Sequence, residues 1–400
     1  MIHLIPRSRL LTQTLLLACF TFVLLFAAHQ ITYSLVLKVY IAGGDSFRHS
    51  LNPYDYTLEN FGAHNQFKYS PFAAIMYYGL YKVKFANAVI GIWAFASLFT
   101  FSLGLSLWAD LTKKYPLYVT LAFFACLGEA IISQSVHQTN CLIIGLTLIG
   151  LAAYRQKKYF ASGNALLIAA NIKVMPIIFL AALAPRFKLK FFYGIAAAGL
   201  LTFLIPALFV GWNHNWEMHL AWVNLVLGDT TNKGLLDAQS TLARMELALL
   251  GNIIKYTILS LSIPIFFTAT FFLTPRSWVP WLTLGTSALL LLSPRTDIFT
   301  YAILAPSYLL LAIWFAECEQ KIVRVAGGWL TTVVAASMGI GLSIYGLGDE
   351  YSNSFLPAQR IRIIGALYFW LISCAILVHQ LTVNIRQRLS STRFASVEHS

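Results

Sequence analysis

The sequence predicts an all-α polytopic membrane protein of about 10–12 transmembrane helices. Of its 400 residues, 58% are hydrophobic and only 11% are charged, against about 45–50% and roughly 25% in soluble domains. The apolar residues fall in long runs, and aromatics, which settle at membrane–water boundaries, make up 14% of the chain. The basic residues gather in short segments between those runs, the pattern of cytoplasmic loops. So little charge cannot coat a water-soluble globule of this size, which excludes a cytosolic enzyme, a coiled coil and a disordered regulator.

The 28 Lys and Arg against 15 Asp and Glu give a net charge of +13. On a soluble protein that excess suggests nucleic acid. Here it lies in loops beside apolar runs, so no nucleic-acid partner is expected. The cysteines (Cys19, Cys126, Cys141, Cys318, Cys374) lie in or beside apolar segments with no CxxC pair. They read as small core hydrophobes, with neither a disulfide framework nor a zinc site.

The first apolar run, from Leu10 to about Thr32, is longer than the roughly 7–15 residues of a signal-peptide core and is expected to stay attached as a spanning helix. Arg7 and Arg9 before it put the N-terminus in the cytoplasm. A span needs about 20 apolar residues. With Lys113-Lys114, Arg155–Lys158, Arg186–Lys190, Arg276, Lys321–Arg324 and Arg386–Arg393 inside, ten crossings fall at about 10–32, 86–109, 116–134, 138–154, 190–211, 251–273, 277–293, 298–317, 325–346 and 362–382. The basic tail from 386 to 400 then returns to the cytoplasm, and 1–385 form one multispan domain.

Two stretches are not simple spans. Residues 71–83 are too short to cross and predict a re-entrant or interfacial helix. Residues 160–184 lie between two basic loops and predict a short helical hairpin broken at Asn171–Pro176, because Pro176 lacks a backbone donor.

In this topology, ten of the fifteen carboxylates lie outside, among them Asp45, Asp55, Asp229, Asp237 and Asp297. The two largest polar loops, about 44–70 and 212–250, lie there too. Loops that long, rich in Trp, Tyr, His, Asn and Asp, are more than connectors, so the chemistry is expected outside. Sorting of basic residues to the inside also leaves acids conspicuous on the other face.

Several residues need a reason. Glu129 lies within a span, where a charge costs roughly 2.5–3.5 kcal/mol or more unless paired or hydrated; His137 in the next turn is a partner within reach. Its two readings are a carboxylate at a water-filled mouth and a catalytic acid or base. Lys173, at the break of the hairpin, either snorkels to the interface or aims a cation at an anionic head group. Asp45 and Asp55 flank Asn52-Pro-Tyr54, itself a good turn. His214 and His219 lack a third ligand nearby, so no metal site is expected. Walker, Rossmann, HExxH and GxSxG patterns are absent.

Five segments in order carry a further signal: Asn52-Pro-Tyr-Asp55 followed by Phe67-Lys-Tyr-Ser-Pro71, then His137-Gln-Thr-Asn140, then Ala161–Pro176, then Ala238-Gln-Ser240, then Ser293-Pro-Arg-Thr-Asp297. From about Val36 to Tyr308 the chain resembles glycosyltransferase family 87, polyprenyl-phosphate-sugar-dependent enzymes of the GT-C membrane fold. Tyr69 and Pro71, Gln138 and Asn140, Lys173 and Pro176, Gln239 and Ser240, and Ser293 and Pro294 match the family pattern. Ser50 and His137 stand where the pattern has glycine, and Ala238 where it has Asn. Val36 stands at the family's catalytic Asp, four residues before Tyr40; the nearest acid, Asp45, is nine residues on, about 13 Å along a helix. Phe299 and Thr300 occupy the neighbourhood of a late histidine found in mannosyltransferase members.

The resemblance implies transfer of a sugar, a mannose-like hexose or a pentose, from a polyprenyl-phosphate donor to a lipid or glycan acceptor at the outer face of a bacterial inner membrane. No cofactor or metal is implied. Asp45 is then the expected base, with Asp297 and Glu129 next, and Arg295, Lys68 and Lys173 are expected at the donor phosphate. Asn52, Tyr54, Asp55, Tyr69, His137, Gln138, Asn140, Gln239 and Ser240 are expected to contact substrate. Two other readings stay open: a transporter or lipid flippase, and a catalytically inactive partner that binds lipid-linked glycans. Matching broken helices in two halves would mark a transporter, and one broken hairpin with no clear repeat is found.

Overall fold

A computed structural model describes residues 7–28, 34–62, 66–81, 86–228, 239, 242, 247–293, 298–346 and 355–397. They form α-helices and short 3-10 turns, and no strand occurs among them. Among the described residues, eight helices are long and apolar enough to cross a membrane, at Ser8–Phe26, Ala88–Ser106, Leu117–Ser135, Leu189–Val210, Ala248–Phe271, Phe299–Ala316, Lys321–Gly339 and Ile361–Gln387. The chain is an all-α, multi-pass membrane protein.

Two of the ten anticipated crossings, 138–154 and 277–293, fall on helices of only 16 and 15 residues, Asn140–Arg155 and Trp278–Leu292. At about 1.5 Å per residue these reach roughly 24 and 22 Å, short of the roughly 30 Å hydrocarbon core. Both are buried along most of their length. A helix walled in by protein need not match the bilayer.

The chain divides into two compact units. The first comprises His3–Lys114 and Leu127–Lys233. It holds α1 (Arg7–Ala28), α2 (Leu35–Ser46), α3 (Pro53–Phe61), α4 (Pro71–Tyr81), α5 (Ala86–Ser106), the second half of α6 (Leu117–Ser135), α7 (Asn140–Arg155), α8 (Tyr159–Ile172), α9 (Ile177–Leu183), α10 (Leu189–Val210) and α11 (Trp212–Gly228). Lipid tails are as apolar as leucine, so helices here associate through close backbone approach at small residues and through hydrogen bonds. Gly145 of α7 abuts the Thr100 carbonyl of α5, where an added Cβ would lie 2.6 Å from it, and the Trp108 indole donates to the Leu148 carbonyl (2.9 Å). On α8 and α10, Gly163 faces the Phe191 carbonyl and Gly194 the Phe160 carbonyl, each too close to admit a Cβ.

The expected hairpin over 160–184 is present as α8 and α9. Lys173 ends α8 in an extended conformation (φ −148°, ψ 131°), and Pro176 caps α9. The short helix expected within 71–83 is α4. Both long polar segments are more ordered than loops: 44–70 contains α3, and 212–250 opens with α11, which starts after Gly211 at φ +80°. Polar side chains hide the helical period in α11. Buried Asn215 donates to the Phe203 carbonyl of α10 (3.1 Å) and ties that polar helix down.

The second unit comprises Met1–Ile2, Tyr115–Cys126 and Gly234–Ser400. It holds the first half of α6, α12 (Ala248–Phe271), α13 (Trp278–Leu292), α14 (Ala305–Ala316), α15 (Lys321–Gly346) and α16 (Phe355–Val397). Buried α13 is its centre. Trp281 stacks on Phe266 of α12 at 4.6 Å and donates to its carbonyl (3.0 Å), while Trp370 of α16 donates to Ser262 Oγ (2.7 Å). Gly328 of α15 lies against the Tyr118 ring of α6, and Thr332 donates to the Tyr118 carbonyl (2.8 Å).

Candidate active site

In the first unit, α2 is the organising element. Its N-cap, Ser34, accepts from the Leu37 N–H (3.2 Å) and donates to the Val136 carbonyl (3.0 Å). One turn and a half along, buried Tyr40 stacks on Tyr77 of α4 at 4.5 Å, and its hydroxyl meets the Tyr69 hydroxyl (2.6 Å) and donates to Gln138 Oε1 (3.3 Å). Two residues past Gln138, buried Asn140 accepts from Lys173 Nζ at 3.0 Å. The chain thus brings together Tyr69, Gln138, Asn140 and Lys173 from three separate segments.

Neither Tyr40 nor Trp93 was among the expected substrate contacts. Tyr40 was legible only as a position in the family pattern, and Trp93, whose indole donates to the His137 carbonyl (3.0 Å), carries no signal in a span already rich in aromatics.

The Asn-Pro-Tyr-Asp segment builds its own support. Asn52 accepts from the Tyr54 N–H (3.0 Å) and caps α3, with Pro53 suited to its first turn. Tyr54 is buried and donates to the Tyr69 carbonyl (2.9 Å), holding the segment that carries Lys68 and Tyr69. Burial pushes the Tyr54 phenol well above its ordinary range, so it is a neutral donor. Asp55, in the first turn of α3, is exposed.

His137, immediately before Gln138, lies in the left-handed region at φ 62°. Ser50 does too, at φ 52°. These are the two positions where the family pattern has glycine, the residue that adopts this backbone without cost. The His137 ring is fully buried, with Nδ1 2.8 Å from Ser34 Oγ. Ser34 has one proton, already given to the Val136 carbonyl, so Nδ1–H donates to Oγ and Nε2 is left as an acceptor. His137 therefore turns to Ser34 and not to Glu129, the partner anticipated for it. Glu129 itself is buried in α6.

Burial holds the His137 imidazole down at about 4, against an ordinary 6.5. The unfolded chain therefore takes up a proton near pH 6.5 that the folded protein accepts only near pH 4, and stability is lost as pH falls through that window. The unfolding midpoint of the wild type should drop between pH 7 and pH 5 by more than that of His137→Gly, as scanning fluorimetry would read. Equal drops would assign the loss to other groups.

Asp45 lies in the last turn of α2, which is helical from Leu35 through Ser46, so Asp45 stands about 13 Å along the axis from Val36. Its Oδ1 is buried with no hydrogen-bond partner among the described residues, and Oδ2 lies 3.9 Å from His49 Nε2. Half-buried Val36 packs into the apolar cluster around Tyr40.

In the second unit, Gln239 donates to Asn252 Oδ1 (2.8 Å) and accepts from Lys255 Nζ (2.8 Å). Lys255 and Asn252, on α12, were not anticipated, since an apolar run conceals a single lysine. Ser240, Arg295 and Asp297 lie outside the described residues.

These features define a multi-pass membrane protein with a polar cluster buried among its helices. The chain belongs to glycosyltransferase family 87, whose model matches residues 67–294, more than half of its length. It is thus a membrane glycosyltransferase. No curated protein and no solved structure matches it.

Proposed function

We propose that the chain transfers a hexose or pentose from a polyprenyl-phosphate donor to a hydroxyl of a lipid or glycan acceptor, at the outer face of a bacterial inner membrane and with both termini in the cytoplasm. The observation that supports this best is the convergence of Tyr69, Gln138, Asn140 and Lys173, with a lysine donating to Asn140 at 3.0 Å inside an apolar protein. A groove of about 300 Å³ supports a lipid-linked donor: its walls include Leu167, Ala170, Val174, Trp222 and Val226, and it reaches the break that carries Lys173.

In this reading Asp45 takes the proton of the acceptor hydroxyl as its oxygen bonds to the anomeric carbon. The bond from that carbon to the phosphate oxygen breaks, and the sugar passes through an oxocarbenium-like state. Lys173, Lys68 and Arg295 stabilise the charge that builds on the departing polyprenyl phosphate. Asp297 and Glu129 are the other acids able to serve as base. Asn52, Tyr54, Asp55, Gln239 and Ser240 complete the contacts to sugar and acceptor.

The test is a transfer assay in nanodiscs with a panel of radiolabelled polyprenyl-phosphate sugars and membrane lipid extract. One donor should support transfer, and Lys173→Met should raise its KM about tenfold, or about 1.4 kcal/mol, with a smaller change in kcat. Saturable donor binding without transfer would instead identify a glycan-binding partner, a reading that Val36 at the family's acid position favours. Neither binding nor transfer would defeat both.

A further inference from the structure

A lysine inside a spanning helix is costly unless its charge is met, and such a residue marks a functional site by default. Lys255 is the only charged residue in the 24 residues of α12. It forms no ion pair with a carboxylate among the described residues. Its ammonium instead donates to Gln239 Oε1 at 2.8 Å, and Gln239 donates to Asn252 Oδ1 at 2.8 Å. The Gln239 backbone lies against the start of α12, where an added Cβ on Gly251 would stand 3.1 Å from its carbonyl. The three side chains thus converge by direct contact. Each is half-buried, so each keeps surface that a ligand can reach.

The internal bonds engage the acceptors of this cluster and leave its donors. Both amide oxygens, Gln239 Oε1 and Asn252 Oδ1, already accept. Two protons of the Lys255 ammonium, two of the Asn252 amide and one of the Gln239 amide make no hydrogen bond among the described residues. Donors alone around one positive charge select an anion rich in acceptor oxygens, and phosphate is such a group.

The place of the cluster makes that phosphate part of a lipid. Lys255 lies seven residues into α12, about 10 Å along its axis, and its side chain leans back toward the helix N-terminus. The ammonium is therefore carried toward the head groups and away from the membrane centre. One and two turns deeper on the same side stand half-buried Leu259 and exposed Ile263, an apolar track that a hydrocarbon chain can follow. Soluble phosphate gains nothing from that track.

We propose that Lys255 and Asn252, braced by Gln239, bind the phosphate of a lipid whose hydrocarbon chain runs along Leu259 and Ile263. A phospholipid and a polyprenyl phosphate present the same group to this site, which does not depend on the glycosyl-transfer reading.

The test is native mass spectrometry of the full chain in detergent, titrated with phosphatidylglycerol, a polyprenyl phosphate, diacylglycerol and inorganic phosphate. At least one of the two lipid phosphates should bind saturably and more tightly than diacylglycerol, and the tighter one identifies the source. Lys255→Met should weaken it tenfold or more, while Lys255→Arg keeps most of the affinity and diacylglycerol binds both variants alike. The unfolding midpoint of Lys255→Met should be unchanged or higher, because a charge leaves a spanning helix. Asn252→Asp is the second variant: it keeps the side-chain shape, gives Lys255 a carboxylate one turn away and should also weaken lipid-phosphate binding. Equal affinity in the wild type, Lys255→Met and Asn252→Asp would overturn the proposal and leave Lys255 a snorkelling lysine. Inorganic phosphate that displaces the lipid at equal concentration would overturn the choice of a lipid. Sugar transfer is measured separately, so its absence would sink the transferase reading and leave this one standing.

Discussion

Asp45→Asn is expected to lower sugar transfer by about 100- to 10,000-fold, the range for removing a general base, while donor binding is kept. Asparagine preserves the shape of the side chain and its place at the end of α2 but cannot take a proton. The native carboxylate is suited to the task because Oδ1 has no hydrogen-bond donor among the described residues and Oδ2 lies only within 3.9 Å of His49 Nε2. Single-turnover transfer and equilibrium donor binding, measured on one preparation, separate the chemical step from a loss of affinity. Unchanged turnover in Asp45→Asn would remove it from the role and turn attention to Glu129→Gln and Asp297→Asn. Val36→Asp in the Asp45→Asn background asks the complementary question, since Val36 lies one helical turn before Tyr40 on the same side of α2. Recovery there would show that α2 supports a base at either position.

Gly194→Val is expected to cost about 3 kcal/mol or more, at the upper end of overpacking effects, and to lower the unfolding midpoint by roughly 6–12 °C. No flexible side chain can yield there: a Cβ on Gly194 runs into the Phe160 backbone carbonyl, and one on Gly163 runs into the Phe191 carbonyl. The α8 and α10 backbones would have to separate, and with them the hairpin that presents Lys173. Gly128→Ala is the control, because nothing lies within 4 Å of a Cβ at that helical position. It should be neutral or slightly stabilising, as alanine is the better helix former. Thermal unfolding in detergent reads both. Equal midpoints would mean that the α8–α10 crossing tolerates repacking.

The membrane-spanning helices were legible because hydropathy acts over about 20 residues and needs no knowledge of partners. The broken hairpin was legible for a local reason, Pro176 beside Asn171 and Lys173. What one segment does to another was not legible. The short lengths of α7 and α13 are allowed by burial within protein, which apolarity alone does not distinguish from burial in lipid. α11 read as loop because its stabilising contacts, such as Asn215 to Phe203, are tertiary. Within the candidate site, matching to the family pattern marked Tyr69, Gln138, Asn140 and Lys173, but the pairing of Lys173 with Asn140 and the turn of His137 toward Ser34 required coordinates. Ser50 and His137 depart from the glycine of the family pattern, and the left-handed backbone at both explains why glycine fits there.

The helix α6 belongs to both units, and this sets a timetable for biogenesis. Its Tyr118 end is covered by Gly328 and Thr332, and the Thr332–Tyr118 hydrogen bond spans 214 residues. At about 5–20 residues per second, that face of α6 stays without its partner for roughly 10–40 s after it is made. The residues of the first unit, by contrast, are complete once Lys233 has emerged. Until α15 arrives, the nascent protein therefore holds every residue of the first unit and an α6 face still without its partner.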